Sequence, residues 1–122
     1  LLINEMAGSG GDFFPWVFRH QKIGPLIGAR TWGGLVKSSV HYALVDGGAL
    51  TAPDNAVFDP VNLKWIAENE GVPPDMEVRQ DARSLTAGRD PQLERAVQEA
   101  LKLLEKQGEI KVVAPPYPTP GK

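Results

Sequence analysis

One hydroxyl in this sequence stands in a setting suited to nucleophilic chemistry. Ser9 sits at the apex of Asn4-Glu5-Met6-Ala7-Gly8-Ser9-Gly10-Gly11-Asp12, between the apolar run Leu1-Leu2-Ile3 and the bulky run Phe13-Phe14-Pro15-Trp16-Val17-Phe18. The first run reads as the end of a buried strand. The second reads as a helix apolar on nearly every side, and so buried. A hydroxyl on the turn between them projects into the mouth of the helix, where backbone N–H groups lack internal partners and favour negative charge. That suits a nucleophile whose substrate briefly carries an oxyanion. The idea is that of the nucleophile elbow, although Gly8-Ser9-Gly10-Gly11 departs from the G-x-S-x-G spacing. The same residues also fit a plain tight turn or a phosphate cradle. The cradle loses ground because no Lys follows the glycines and the G-x-G-x-x-G spacing is absent.

A serine nucleophile needs a base, and the chain has 2 histidines. His20 follows on the same helix, about 15 Å from Ser9 at a rise of about 1.5 Å per residue. A base works at about 3 Å, so His20 reads instead as a helix C-terminal residue favoured by the dipole. His41 falls on a strand beyond Gly33-Gly34 and reads as a surface or packing residue. A two-histidine metal site finds no carboxylate at a ligand spacing. No metal and no cofactor are expected.

The elements that hold the serine follow in order. The buried helix is expected from about Gly11 to Gln21, with Pro15 in its first turn. Leu26 to Trp32 reads as a second strand ending at Gly33-Gly34. Val40 to Val45 and Ala49 to Ala52 read as strands around an Asp46-Gly47-Gly48 turn. Pro53 to Asn62 reads as a loop with Val57-Phe58 pinned inward, and Lys64 to Glu68 as a short extended segment. Met76-Glu77-Val78 reads as a last strand, and 79–89 as a surface connection. The clearest helix is Asp90 to Gln107, with Asp90 as N-cap, Pro91 at the first position and Gly108 past the end. Its apolar face is expected to be Leu93, Ala96, Val97, Ala100, Leu101 and Leu104. Glu94, Arg95, Glu99, Lys102 and Lys106 should form the solvated face. Ile110 to Val113 reads as an apolar arm, and Ala114 to Lys122 as a Pro-rich extended tail.

With 122 residues and a net charge of −2, the chain suits one α/β domain with a real core. No basic patch points to nucleic acid, and no apolar run is long enough to cross a membrane. Cysteine is absent, which excludes disulfides and thiolate metal sites. A cytoplasmic protein is the expectation. The chain opens inside what reads as a buried strand, so the C-terminal piece of a longer protein is expected.

Four motifs in order carry a resemblance: Gly8-Ser9-Gly10-Gly11-Asp12, then Gly28-x-Arg30-Thr31-Trp32-Gly33-Gly34, then Asp46-Gly47-Gly48, then Glu68-Asn69-x-Gly71-Val72-x-Pro74-Asp75. Together with Gly88-Arg89-Asp90-Pro91-Gln92-Leu93 they resemble the C-terminal catalytic region of tricorn-type serine peptidases, in the tail-specific (C-terminal processing) peptidase family. The resemblance covers roughly Leu1 to Leu104. It implies a crotonase-like or Clp-protease-like superhelix of ββα units, of which residues 1–108 would be the C-terminal part and 109–122 an arm and tail. It further implies Ser9 as nucleophile and the Gly10 N–H as an oxyanion-hole donor. Glu68 would complete a tetrad through an upstream serine, Glu70 being the neighbouring candidate that the Glu-Asn pair before Gly-Val disfavours. Trp32, Gly33, Gly34 and Leu35 would line the cleft, an extended peptide pairing with them as an added strand.

Members with a Ser-Lys pair carry their lysine directly after the Gly of a Thr-aromatic-Gly motif. Gly34 stands there in this chain, and Lys37 comes three places later. The implied base is therefore a histidine, supplied upstream together with its serine partner and the second oxyanion donor. The chain departs from the family at Lys37-Ser38-Ser39 and at Leu63. The implied partners are a peptide substrate and the upstream part of the same enzyme, and a strand edge left exposed where the chain opens makes association with a second copy an expectation. A catalytically silent assembly module is the reading of another class, and a crotonase-type acyl-thioester enzyme a third.

Overall fold

The computed structural model describes residues 1–108 and 111–117. Strand β1 (Leu2–Ile3) leads through the serine turn into helix α1 (Gly10–His20), and β2 (Ile27–Gly28) returns parallel to β1. Strand β7 (Met76–Glu77) pairs parallel with the other side of β2, so the sheet order is β1-β2-β7. The regular ladders are short, but hydrogen bonds continue past them, from Ala29 N–H to Ile3 O at 3.0 Å and Thr31 N–H to Val72 O at 3.1 Å. The expected strand from Leu26 to Trp32 is thus regular only at Ile27–Gly28. Beyond it the chain keeps single backbone bonds to Ile3, Val72 and Ala7 without forming a regular ladder.

Ile3, Leu26 and Val72 form the core, with Leu1, Trp16, Phe18 and Ala67 packed against it. Helix α1 is tied down at its C-terminal end by Arg19, which holds Asp75 at 2.9 Å, while Asp75 also accepts the Leu26 N–H at 2.7 Å. The expectation that α1 is buried all round is not met. Only Asp12 and Pro15 are buried, and Phe14 is 56% exposed. The helix lies on one face of the sheet, and nothing among the described residues covers its other side. Pro15 also falls in the second turn, because α1 starts at Gly10. The helix therefore lacks the N–H that would have met the Gly11 carbonyl.

Strands β3 (Lys37–Ala43) and β4 (Ala49–Asn55) form an antiparallel hairpin around Asp46-Gly47-Gly48. Strand β4 runs on through Pro53, so the loop expected from that residue begins after Asn55. Both faces of the hairpin are largely exposed, an arrangement that is marginal on its own in water. Strands β5 (Phe58–Asp59) and β6 (Lys64–Trp65) form a second, smaller pair. Phe58 is 55% exposed rather than pinned inward. The residue that turns in is Asp59, which accepts from the Val61 N–H at 2.8 Å and the Asn62 side chain at 2.7 Å.

Within 79–89, expected as plain connection, a one-turn helix α2 (Ala82–Thr86) is capped by Asp81 on the Ser84 N–H at 2.9 Å. Helix α3 (Pro91–Gln107) has the expected caps, Asp90 accepting the Leu93 N–H at 2.9 Å and Gly108 taking φ 71°. Its rotation differs from expectation. Gln92 is the buried residue and donates to Val78 O at 2.7 Å, while Arg95 reaches Met76 at 3.1 Å. The expected apolar face is split: Ala96 and Ala100 turn toward Leu1, Phe18 and Ile27, while Leu93, Val97, Leu101 and Leu104 are all about half exposed or more. Side-chain period fixes which residues share a face, and only contact with the sheet decides which face turns in. No helix among the described residues is long and apolar enough to cross a membrane. Ile110 of the expected arm, and Pro118 and Pro120 of the tail, lie outside the described residues.

Candidate active site

Ser9 stands between β1 and α1 with φ 53° and ψ −110°, a backbone conformation that L-residues rarely adopt. Such strain costs about 1–3 kcal/mol and persists only when the surroundings over-determine it. Here they do. The Ser9 N–H donates to Gly34 O at 3.0 Å, and the Ser9 carbonyl accepts from the N–H groups of Asp12 at 2.9 Å and Phe13 at 3.0 Å. The side chain makes no capping bond and the residue is exposed, so the hydroxyl has no partner among the described residues. A serine that capped its own helix would have spent that oxygen on a backbone N–H. Gly10 opens α1, and a Cβ built on it meets nothing within 4 Å. Its N–H donates no hydrogen bond among the described residues.

The segment passing Ser9, Gly33 to Val36, is held by two carboxylates. Asp12 is fully buried and accepts the N–H groups of Gly33 at 2.8 Å and Gly34 at 3.0 Å. One oxygen of Glu68 accepts the N–H groups of Leu35 at 2.8 Å and Val36 at 2.7 Å. Ser9 and Glu68 thus flank consecutive residues of one segment. The other Glu68 oxygen has no partner among the described residues. Glu68 is set by an irregular loop in which Ala67 (φ 59°) and Asn69 (φ 61°) are both left-handed. The Asn69 N–H donates to Gly33 O at 2.8 Å, and the Ala67 carbonyl accepts the Gly71 N–H at 2.7 Å. A cavity of about 320 Å³ lies beside it, lined by Leu35, Val57, Trp65, Ile66 and Glu68 among others. Glu70 is exposed and engaged through its backbone alone among the described residues, its N–H donating to Ala67 O at 3.0 Å and its carbonyl accepting from Arg30 at 3.1 Å.

Trp32 is 71% exposed, and its indole lies against Gly8 and Gly34, where a Cβ would come within 2.8 Å and 2.2 Å of ring carbons. Leu35 is buried instead. The expectation that a peptide adds to residues 32–35 as a strand needs correction on its donor side. The Trp32 N–H goes to Ala7 O at 2.9 Å, and those of Gly33, Gly34 and Leu35 go to Asp12 and Glu68. A strand edge that recruits another strand offers free N–H groups, and this stretch has none.

His20 ends α1, stacked on Trp16 with ring centroids 4.8 Å apart, at the opposite end of the helix from Ser9. His41 lies in the hairpin, 3.9 Å from Asp54. Leu63, where the sequence departs from the resemblance, is left-handed with φ 53°.

The motifs so arranged match a known family. Peptidase family S41 matches residues 1–78, the span from β1 through Ser9 and Glu68 to the end of β7. The chain belongs to peptidase family S41. Within the family its similarity is to tricorn-type members. A protein of Sulfurisphaera tokodaii provisionally named a tricorn-like protease C-terminal subunit is 45% identical over 107 residues, covering 87% of this chain and 12% of that protein. Tricorn protease homolog 1 of Streptomyces coelicolor is 45% identical over 103 residues, covering 84% of this chain and 10% of the homologue. A crystal structure of the tricorn protease superposes with a TM-score of 0.78 at 37% identity, over 85% of this chain and 10% of that one. The chain therefore spans about a tenth of the length of the relatives it matches.

Two features of the site lay beyond the sequence reading. Asp12 stood in the Gly-Gly-Asp motif without a role, and nothing local shows a carboxylate reaching Gly33 and Gly34 across 21 and 22 positions. The left-handed Ala67 carries no Gly or Asn signal at all.

Proposed function

We propose that this chain carries the nucleophile of a serine peptidase. Ser9 Oγ attacks a peptide carbonyl, its proton passes to a histidine supplied by the upstream part of the enzyme, and the Oγ–C bond forms. The Gly10 N–H donates to the oxyanion, with a second donor from upstream. As the C–N bond breaks, the histidine returns the proton to the leaving amine. Water then hydrolyses the acyl-enzyme. Glu68 would act through an upstream serine on its free oxygen. Trp32, with Gly33, Gly34 and Leu35 behind it, would contact substrate through its exposed ring rather than through backbone donors. The fold would be the C-terminal part of a crotonase-like ββα superhelix. Its partners would be a peptide, the upstream region and a second copy of the chain, a reading supported by the uncovered apolar faces of α1, α3 and the hairpin.

The observation that carries this reading is the positive-φ backbone of Ser9, held at both ends with its hydroxyl unused among the described residues. Fluorophosphonate labelling tests it. In a polypeptide that includes the upstream region, Ser9 should label and Ser9→Ala should hydrolyse no peptide while keeping its fold. Normal turnover by that variant would end the proposal. The second reading, a catalytically silent assembly module, draws on the lack of a histidine beside Ser9 among the described residues. It predicts no labelling even when the upstream region is present.

A further inference from the structure

One buried acid has no part in that chemistry. Asp12 is fully buried, and both its oxygens are engaged, by Gly33 N–H at 2.8 Å and Gly34 N–H at 3.0 Å. The Gly34 carbonyl in turn accepts the Ser9 N–H at 3.0 Å. These bonds close a ring that runs from Ser9 along the first turn of α1 to Asp12, across to Gly34 and back to Ser9. Asp12 belongs to that turn, where a negative charge is favoured by the helix dipole. Charge-assisted bonds of this kind are about twice as strong as neutral ones. Without them the Gly33-Gly34 segment could move away from α1 and take with it the carbonyl that holds Ser9 in its positive-φ conformation.

We propose that Asp12 is a positioning residue for Ser9. It clamps Gly33-Gly34 to the start of α1 and so keeps the hydroxyl presented beside the Gly10 N–H. The inference rests on the reading of Ser9 as a nucleophile.

The test compares wild type, Asp12→Asn and Asp12→Ala in the polypeptide that includes the upstream region, with a fluorophosphonate as probe. The maximal labelling rate per folded molecule should fall about tenfold or more in Asp12→Ala, since small displacements of reacting groups are costly. Probe affinity should stay within about twofold, the loss being one of orientation rather than binding. Asp12→Asn, which keeps one acceptor oxygen, should fall in between. A purely structural role would lower the folded fraction and leave the rate per folded molecule unchanged, and that result overturns the proposal. Should neither variant fold, amide exchange in the wild type decides. Gly33 and Gly34 amides exchanging as slowly as Ile27 support the clamp, and open-loop rates refute it. Failure of the wild type to label would remove the nucleophile reading instead, and amide exchange would then report on the clamp alone.

Discussion

Replacing Glu68 separates its hold on the backbone from its charge. Both of its hydrogen bonds converge on one oxygen, at 2.8 Å from Leu35 N and 2.7 Å from Val36 N. Bonds to a charged acceptor contribute about 1.5–3 kcal/mol each, so two could contribute about 3–6 kcal/mol. The residue is only half-buried, and water would reach the stranded N–H groups. The lower end applies, and Glu68→Ala should cost about 3 kcal/mol. Glu68→Gln can place its amide oxygen in the same position and keep both bonds. It loses only the charge assistance, about half the strength of each bond, and should cost about 1.5 kcal/mol. Urea unfolding followed by tryptophan fluorescence, extrapolated linearly, measures both. In a polypeptide that includes the upstream region, Glu68→Gln should lose peptide hydrolysis out of proportion to its small loss of stability. The reasoning is refuted if both variants unfold within about 0.5 kcal/mol of wild type, a difference typical of unremarkable surface changes.

Gly71→Ala should abolish folding or cost more than about 3 kcal/mol, since a Cβ there falls 2.2 Å from the Thr31 carbonyl oxygen at φ +66°. Circular dichroism would show it, and a native melt would contradict the close approach. Leu101→Lys, on the outward face of α3, should change stability by less than about 0.5 kcal/mol. Ala96→Lys, against the cavity that Leu1, Phe18 and Ile27 line, should cost more than about 1 kcal/mol, and the reverse order would mean the helix is turned the other way. Acid should destabilise the chain through its helix caps. The Leu93 N–H, then the Gln80 side chain, hold the Asp90 carboxyl below its ordinary value of 3.8. The Ser84 hydroxyl and N–H do the same for Asp81. A depressed folded value stabilises above the unfolded one and stops doing so as pH falls through the folded one. The melting temperature should therefore hold down to about pH 5 and drop below about pH 4. Asp90→Asn, which caps without titrating, should make that drop shallower, and an unchanged slope would remove Asp90 from the cause.

The sequence by itself determined whatever depends on neighbours along the chain. The caps of α3 come from Asp90, Pro91 and Gly108, whose preferences are local to a helix end. The hairpin turn at Asp46-Gly47-Gly48 and the strand–serine–helix order at Ser9 are local in the same way. Motif order was enough to point to the family, because four spaced motifs seldom coincide. What tertiary structure alone decided was set by residues far apart in the chain. The rotation of α3 depended on where Val78 O and Met76 lie, since its polar stripe meets them and its leucines do not. The exposure of α1 depended on there being one sheet face to cover, which apolar content does not reveal. The Asp12 clamp and the Glu68 contacts join positions 21 to 33 apart. A side chain's type states what it can bond, but only the folded backbone brings its partner within 3 Å.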